Sequence, residues 1–246
     1  LLKMDFLGLR TLTVIHDTET AVRRKYPDFR VAGIDYDDPD TYAMLARGET
    51  EGIFQLESTG MTQVLVGMRP KNLEDIIALI SLYRPGPMDS IPTYLRNRKD
   101  PSKVSYKTPQ MAHIVDVTNG VVIYQEQVMQ ICRELAGFSF GQADNVRRAM
   151  SKKKLKVMEA EREHFVHGCK EPGKECAGCV ANGVPENVAN QIYDDMISFA
   201  SYAFNKSHAA CYAYVAFQTA YLKCHYPHEF CLLYTSPSPR DGATSR

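Results

Sequence analysis

Apolar residues recur at helical spacing along most of the chain, while strand-like alternation is confined to two short stretches. Thr11 to Tyr26 reads as a helix, followed by a turn-rich connector over Pro27 to Asp40. Asn72, Glu74 and Asp75 make a good helix start, because a capping side chain and early carboxylates satisfy free N–H groups and the positive end of the dipole. Leu73, Ile76, Ile77 and Ile80 then form one buried stripe. Pro85 disfavours helical geometry in the residue before it, so this helix stops near Arg84. Arg84-Pro85-Gly86-Pro87 is left as a stiff, exposed turn carrying a guanidinium. Val128, Ile131, Cys132 and Leu135 mark the inner face of a helix ended by Gly137. Val188, Ile192, Met196 and Phe199 mark another, and a last helix runs from about His208 to about Lys223. The strand candidates are Gly120 to Tyr124 and the opening segment, Leu1 to Arg10. In the latter, Leu2, Met4 and Phe6 share one face and Lys3 and Asp5 the other. No internal repeat is found. The pattern predicts a mostly α fold with a few short strands.

Composition narrows the function classes. A chain of 246 residues with 44% hydrophobic and 24% charged residues can bury a core of one large domain or two small ones. Basic and acidic side chains balance at 29 each, so attraction to nucleic acid must come from local clustering. No apolar run approaches the length of a bilayer-spanning helix and no signal-peptide pattern opens the chain, so a cytoplasmic protein with no membrane partner is expected. Seven cysteines scattered among helical patterns fit reduced thiols. Cys169, Cys176 and Cys179, with His164 and His167 nearby, lack a second Cys-x-x-Cys pair, and Glu171 to Glu175 reads as a hairpin loop, which argues against zinc. Asp35, Asp37, Asp38 and Asp40 lack the spacing and closing Glu of a calcium loop and read as a solvated acidic turn. The chain opens on Leu1 within a motif, as if mid-protein. From about Leu232 the Ser, Pro, Gly and Thr content cannot build a core, so residues 232–246 are set apart as a disordered or non-native tail.

Local chemistry concentrates in two places. Arg147, Arg148, Lys152, Lys153, Lys154 and Lys156 fall close together with no acid among them. If Ser151 caps a helix, Lys152 to Lys154 occupy its first turn, where the dipole disfavours cations and an anionic partner such as phosphate would offset the cost. A solvated surface run is the competing reading. Further on, Phe204-Asn205-Lys206-Ser207-His208 leads into a helix on which His208 and Tyr212 share a face with Val215 and Thr219. A phenol beside an imidazole and a lysine can stack on a base and reach a phosphate. The alternative is a His and a Tyr that satisfy each other in a core.

Taken as an ordered set, several motifs carry more than any one of them. They are Lys3-Met4-Asp5-Phe6-Leu7-Gly8-Leu9-Arg10, Gly52-Ile53-Phe54-Gln55-Leu56-Glu57-Ser58, Arg84-Pro85-Gly86-Pro87, Tyr124-Gln125-Glu126-Gln127-Val128-Met129, Arg147-Arg148-Ala149-Met150 and Phe204-Asn205-Lys206-Ser207-His208. With these the chain resembles the C-family replicative DNA polymerases, the bacterial DNA polymerase III α-subunit family, from Leu1 to about Cys231. The resemblance implies that residues 1–10 are the last strand of a nucleotidyltransferase-like palm and residues 11–231 a helical fingers domain. It implies a DNA-directed DNA polymerase of chromosomal replication, which uses two Mg2+ ions held by three palm aspartates. Asp5 matches one of the three and Lys3 a basic residue beside the triphosphate. The other two belong to an Asp-x-Asp pair that does not precede Asp5 here, so this piece alone is expected to be inactive. Arg147, Arg148, Lys206 and His208 are implied as incoming-nucleotide contacts, Tyr212 as lying near the base, and Arg84 and Lys152 to Lys154 as serving phosphates. The implied partners are primer–template DNA, deoxynucleoside triphosphates and other replicase subunits including the sliding clamp, which meets parts of such enzymes outside this span. Ser151 departs from the glycine usual in the family. A non-catalytic helical nucleic-acid-binding module is the alternative function, and Asp5 discriminates, since pure binding has no use for a carboxylate facing phosphate.

Overall fold

The computed structural model describes residues 8–152, 155–200 and 204–235, and among these the chain forms twelve α-helices and no extended strand. In order they are α1 (Arg10–Arg23), α2 (Pro39–Ala46), α3 (Thr59–Met68), α4 (Leu73–Leu82), α5 (Ile91–Lys99) and α6 (Ala112–Val115). Then follow α7 (Gln125–Ala136), α8 (Phe140–Ser151), α9 (Leu155–His167), α10 (Glu186–Ala200), α11 (Lys206–His225) and α12 (Pro227–Thr235). The mostly α class predicted from periodicity is therefore what the chain adopts. Its contacts divide it into two compact units, the described residues up to Ile77 with those from Ala210 onward, and Ala78–Ala209.

In unit 1, α1 buries Ile15, Thr18 and Val22, a three- and four-residue spacing that gives one apolar face, and it packs on α12. The second half of α11 carries Phe217, whose ring lies 5.1 Å from Tyr42 and 5.4 Å from Tyr36. The buried Thr219 hydroxyl accepts the Phe54 amide at 3.1 Å and donates to the Ala216 carbonyl at 2.8 Å, so both capacities of a buried polar group are met. The acidic connector is exposed at Asp35, Asp37 and Asp40, while Asp38 caps α2 through the Thr41 amide. The helical backbone of α12 continues through Thr235, so the stretch set apart from Leu232 begins inside a helix; residues 236–246 lie outside the described residues.

Unit 2 is organised on α7, α8, α9 and α10. Val128, Ile131, Cys132 and Leu135 are buried as the pattern predicts, and Gly137 ends α7 at φ 74°, a left-handed position that suits glycine. Phe165 stands between Phe138 and Tyr193, with centroids 6.3 and 5.4 Å away, and its full burial contributes about 1.5–3 kcal/mol. The predicted strand at Gly120 to Tyr124 reduces to a single bridge between Tyr124 and Phe204. The cause is Gln127, whose side-chain oxygen accepts the Ile123 and Tyr124 amides at 2.8 and 3.0 Å, taking the N–H groups a ladder would use.

Loop geometry between α9 and α10 is set by two glycines. At Gly168 (φ +85°) a Cβ would fall 2.4 Å from the Ala177 carbonyl oxygen, and at Gly178 (φ +82°) 2.3 Å from the Gly168 nitrogen. Only backbone without a side chain packs this closely. The result is the hairpin expected at Glu171 to Glu175, with Cys169 and Cys176 exchanging backbone hydrogen bonds of 3.0 and 2.9 Å.

Candidate functional site

The start of α7 and the start of α11 meet at the Tyr124–Phe204 bridge, and most of the predicted cations of unit 2 gather around it. Gln127 fixes this place: besides the two amides, its side-chain nitrogen donates to the Ile114 carbonyl at 3.0 Å and the Thr118 hydroxyl at 2.8 Å. The Gln125 amide then donates to the Phe204 carbonyl at 3.0 Å. Asn205 caps α11 by accepting the His208 amide at 2.9 Å, and both Glu126 carboxylate oxygens accept the Lys206 amide at 3.2 Å. A carboxylate at this helix start also complements the positive end of the dipole.

On this frame the exposed Arg84 lays its guanidinium over the Phe204 ring, 4.0 Å from the centroid, in a cation–π contact. The Arg84-Pro85-Gly86-Pro87 turn that presents it is exposed at Arg84, Pro85 and Gly86, as predicted, but Pro87 is buried, and Gly86 takes φ 103°. His208 is exposed and meets the same ring edge-on at 5.2 Å. The Lys206 ammonium lies 5.3 Å from the Tyr124 centroid. Arg147 donates from Nη1 to the Gln125 side-chain oxygen at 3.1 Å. It also gives Nε and Nη2 to Asp144 Oδ1 at 2.9 and 2.6 Å, while Arg148 Nε reaches Asp144 Oδ2 at 2.7 Å. The Arg147 hydrogen bond holds the Asp144 carboxyl below its ordinary range, so it stays ionised at neutral pH. Beside these groups a cavity of about 480 Å³ is lined by Gln125, Met129, Phe140, Asp144 and Arg147 among others.

Arg84, Arg147, Arg148, Lys206 and His208 are thus brought to one region. Tyr212 belongs to unit 1, where its half-buried ring lies 5.2 Å from Phe54. Lys152 requires a correction. Its amide donates to the Arg148 carbonyl at 3.1 Å, the bond that closes α8, whose last residue is Ser151. Lys152 therefore follows a helix C-terminus, where the dipole favours a cation, and does not occupy the first turn of the next helix. Lys3, Asp5, Lys153 and Lys154 lie outside the described residues.

Sequence reading missed Phe204 as a platform, Gln127 as the frame, and Asp144. The last had a readable signal, since it stands three and four residues before Arg147 and Arg148 on one helix. Among the described residues, His164, His167, Cys169, Cys176 and Cys179 do not bring three ligand atoms within reach of one ion. Cys179 is buried, which pushes its thiol up to about 12. No helix among the described residues is long and apolar enough to cross a membrane.

The fold and this cluster define a helical domain that presents a cationic face around a junction of two helix starts. The chain belongs to the bacterial DNA polymerase III alpha subunit finger domain family, whose family model matches residues 11–173. It is 49% identical over 248 aligned residues to the DNA polymerase III subunit alpha of Thermus aquaticus, covering 98% of this chain and 20% of that protein. Identity to the subunit of the same name from Staphylococcus aureus strain COL is 47% over 231 residues, 94% of this chain and 21% of that protein. For Staphylococcus epidermidis strain ATCC 12228 it is 46% over 231 residues, with the same coverage. The chain spans about a fifth of the length of these curated relatives.

Proposed function

We propose that this chain supplies the incoming-nucleotide grip of a DNA-directed DNA polymerase acting in chromosomal replication. The observation that carries this reading is the convergence of Arg84, Arg147, Arg148, Lys206 and His208 on the Tyr124–Phe204 junction, in a chain of the polymerase III finger family. A guanidinium has five N–H donors, and Asp144 and Gln125 engage three of those on Arg147, leaving two for a phosphate oxygen. Arg84, held over the Phe204 ring, offers its N–H donors in the same way. Lys206 contributes its ammonium; its amide is held by the Glu126 carboxylate, which would repel a phosphate approaching the helix end. His208 adds a ring donor at the exposed edge. Asp144 acts as a positioning residue for both arginines. Lys152, with Lys153 and Lys154, meets phosphates of nucleotide or template.

Magnesium enters this reading through Asp5, which lies outside the described residues. The carboxylates beside the cationic face, Asp144 and Glu126, are already engaged by Arg147, Arg148 and the Lys206 amide, and they do not form an ion-binding group. Primer–template DNA and deoxynucleoside triphosphates are the partners this reading requires, and Lys3 assists beside the triphosphate.

Titration of the 246-residue chain with a fluorescent deoxynucleoside triphosphate tests the grip. Arg147→Ala and Lys206→Ala should each weaken binding by about 10-fold or more, the value of a lost charge-assisted hydrogen bond. Unchanged affinity in both, with helicity intact, removes the assignment. In a full-length polymerase carrying this span, Asp5→Ala should abolish primer extension and spare DNA binding.

A further inference from the structure

We propose that Asp38, Cys224 and His225 form a zinc site that ties the end of α11 to the start of α2. Each residue offers one donor atom, and the three atoms lie within 4.8 Å of one another. All three belong to unit 1. A tetrahedral zinc with bonds of about 2.0–2.3 Å separates its donors by roughly 3.3–3.8 Å, so the group closes on an ion through shifts of about 1 Å.

The surroundings prepare each ligand. Asp38 Oδ2 accepts both the amide and the hydroxyl of Thr41, the first at 2.9 Å, which fixes the carboxylate as outer-shell donors do in metal sites. Cys224 and His225 close α11, at the negative end of the dipole of a 20-residue helix. The His225 Nε2 stands 2.8 Å from Asp38 Oδ2, a contact the ion would replace. Asp35, Asp37 and Asp40 add negative charge around Asp38. The neighbouring cations are occupied: Lys223 is held by the Glu49 and Glu51 carbonyls at 3.0 and 2.8 Å, and Arg47 by the Glu49 carboxylate at 2.5 Å.

The donor types select the metal. Thiolate, imidazole and carboxylate suit zinc with three protein ligands and water in the fourth position, whereas magnesium and calcium require oxygens throughout. On binding, the Cys224 thiol releases its proton to solvent as the zinc–sulfur bond forms, and His225 supplies a ring-nitrogen lone pair.

The 246-residue chain is titrated with Zn2+ alone, and with Co2+ as a spectroscopic probe. One ion per chain is expected, with a thiolate-to-cobalt charge-transfer band and tetrahedral d–d bands. Cys224→Ser should remove the band and weaken zinc binding by about 100-fold or more, and Thr41→Val, which keeps every ligand, by about 10-fold. A chain carrying Cys169→Ser with Cys176→Ser should bind as the parent does. If Cys224→Ser does not fold, the cobalt spectrum of that double variant decides. Absence of binding, a cobalt spectrum without the thiolate band, or zinc binding that survives Cys224→Ser overturns the site and leaves Asp38 and His225 as an ion pair between helices.

Discussion

Changing Asp144 to Asn tests the grip by the sign of its effect. Asp144 carries a negative charge next to a face proposed to bind a polyanion, so on charge alone its removal tightens nucleotide binding. At roughly 7 Å in a water-like dielectric that gain is about 0.6 kcal/mol per phosphate charge. The geometry argues the other way. Asp144 holds Arg147 through two hydrogen bonds, at 2.9 and 2.6 Å, and Arg148 through one at 2.7 Å. Releasing a long side chain that binding must then immobilise costs about 0.5–1.5 kcal/mol each. Arg148 is 64% exposed and contributes at the low end, Arg147 at 25% near the high end. Against one or two phosphate charges at that distance the net expectation is a loss of about 0.8–1.4 kcal/mol, or roughly 4- to 10-fold weaker binding. Calorimetric titration with a deoxynucleoside triphosphate at two salt concentrations reads it, and the salt dependence should stay near that of the parent because the cations remain. Unchanged or tighter binding refutes the positioning role.

The same aspartate sets a pH dependence. Its folded pKa is depressed, chiefly by the Arg147 hydrogen bond, so its stabilisation is complete above the ordinary aspartate value of about 3.9 and is lost as pH falls through the folded value. Asp144→Asn should flatten the acid limb of a stability-versus-pH curve below about pH 4. Gln127→Leu leaves two amides, a carbonyl and a hydroxyl without their buried partner, and should cost about 2–4 kcal/mol in urea denaturation. A loss under about 1 kcal/mol would show that the start of α7 holds without it. Gly168→Ala drives a Cβ into the Ala177 carbonyl and should destabilise by about 3 kcal/mol, measured by thermal unfolding. Lys152→Glu should weaken nucleotide or DNA binding and flatten its salt dependence; an unchanged slope returns Lys152 to the solvated surface.

How far the chain could be read from its letters depended on the range of the interaction. The face of α7 and its glycine stop follow from neighbours within a turn or two, and they fold as read. The exposed Arg84 turn follows from Pro85. Ser151 was ambiguous because serine suits a cap and also tolerates a helix end; the α8 bond from Lys152 to Arg148 decided between them. The short strand failed because a side chain three residues ahead of Tyr124 takes its amide, a competition that hydrophobic alternation does not register. Phe204 stayed hidden as a platform because its partners, Arg84 and Tyr124, are far away in sequence. The family resemblance named the cations, but periodicity could not say what aims them.

The single bridge between Tyr124 and Phe204 has a consequence for how mutations combine. Through it the Gln125 amide holds the Phe204 carbonyl, while the Gln125 side chain holds Arg147 and the Phe204 ring carries Arg84 and His208. Groups that reach a ligand through one shared backbone joint do not respond independently. Loosening the joint withdraws all of them together, and once it is loose a second substitution has little left to remove. Phe204→Ala, which removes the ring that carries Arg84 and His208, should therefore combine less than additively with a change at either of them.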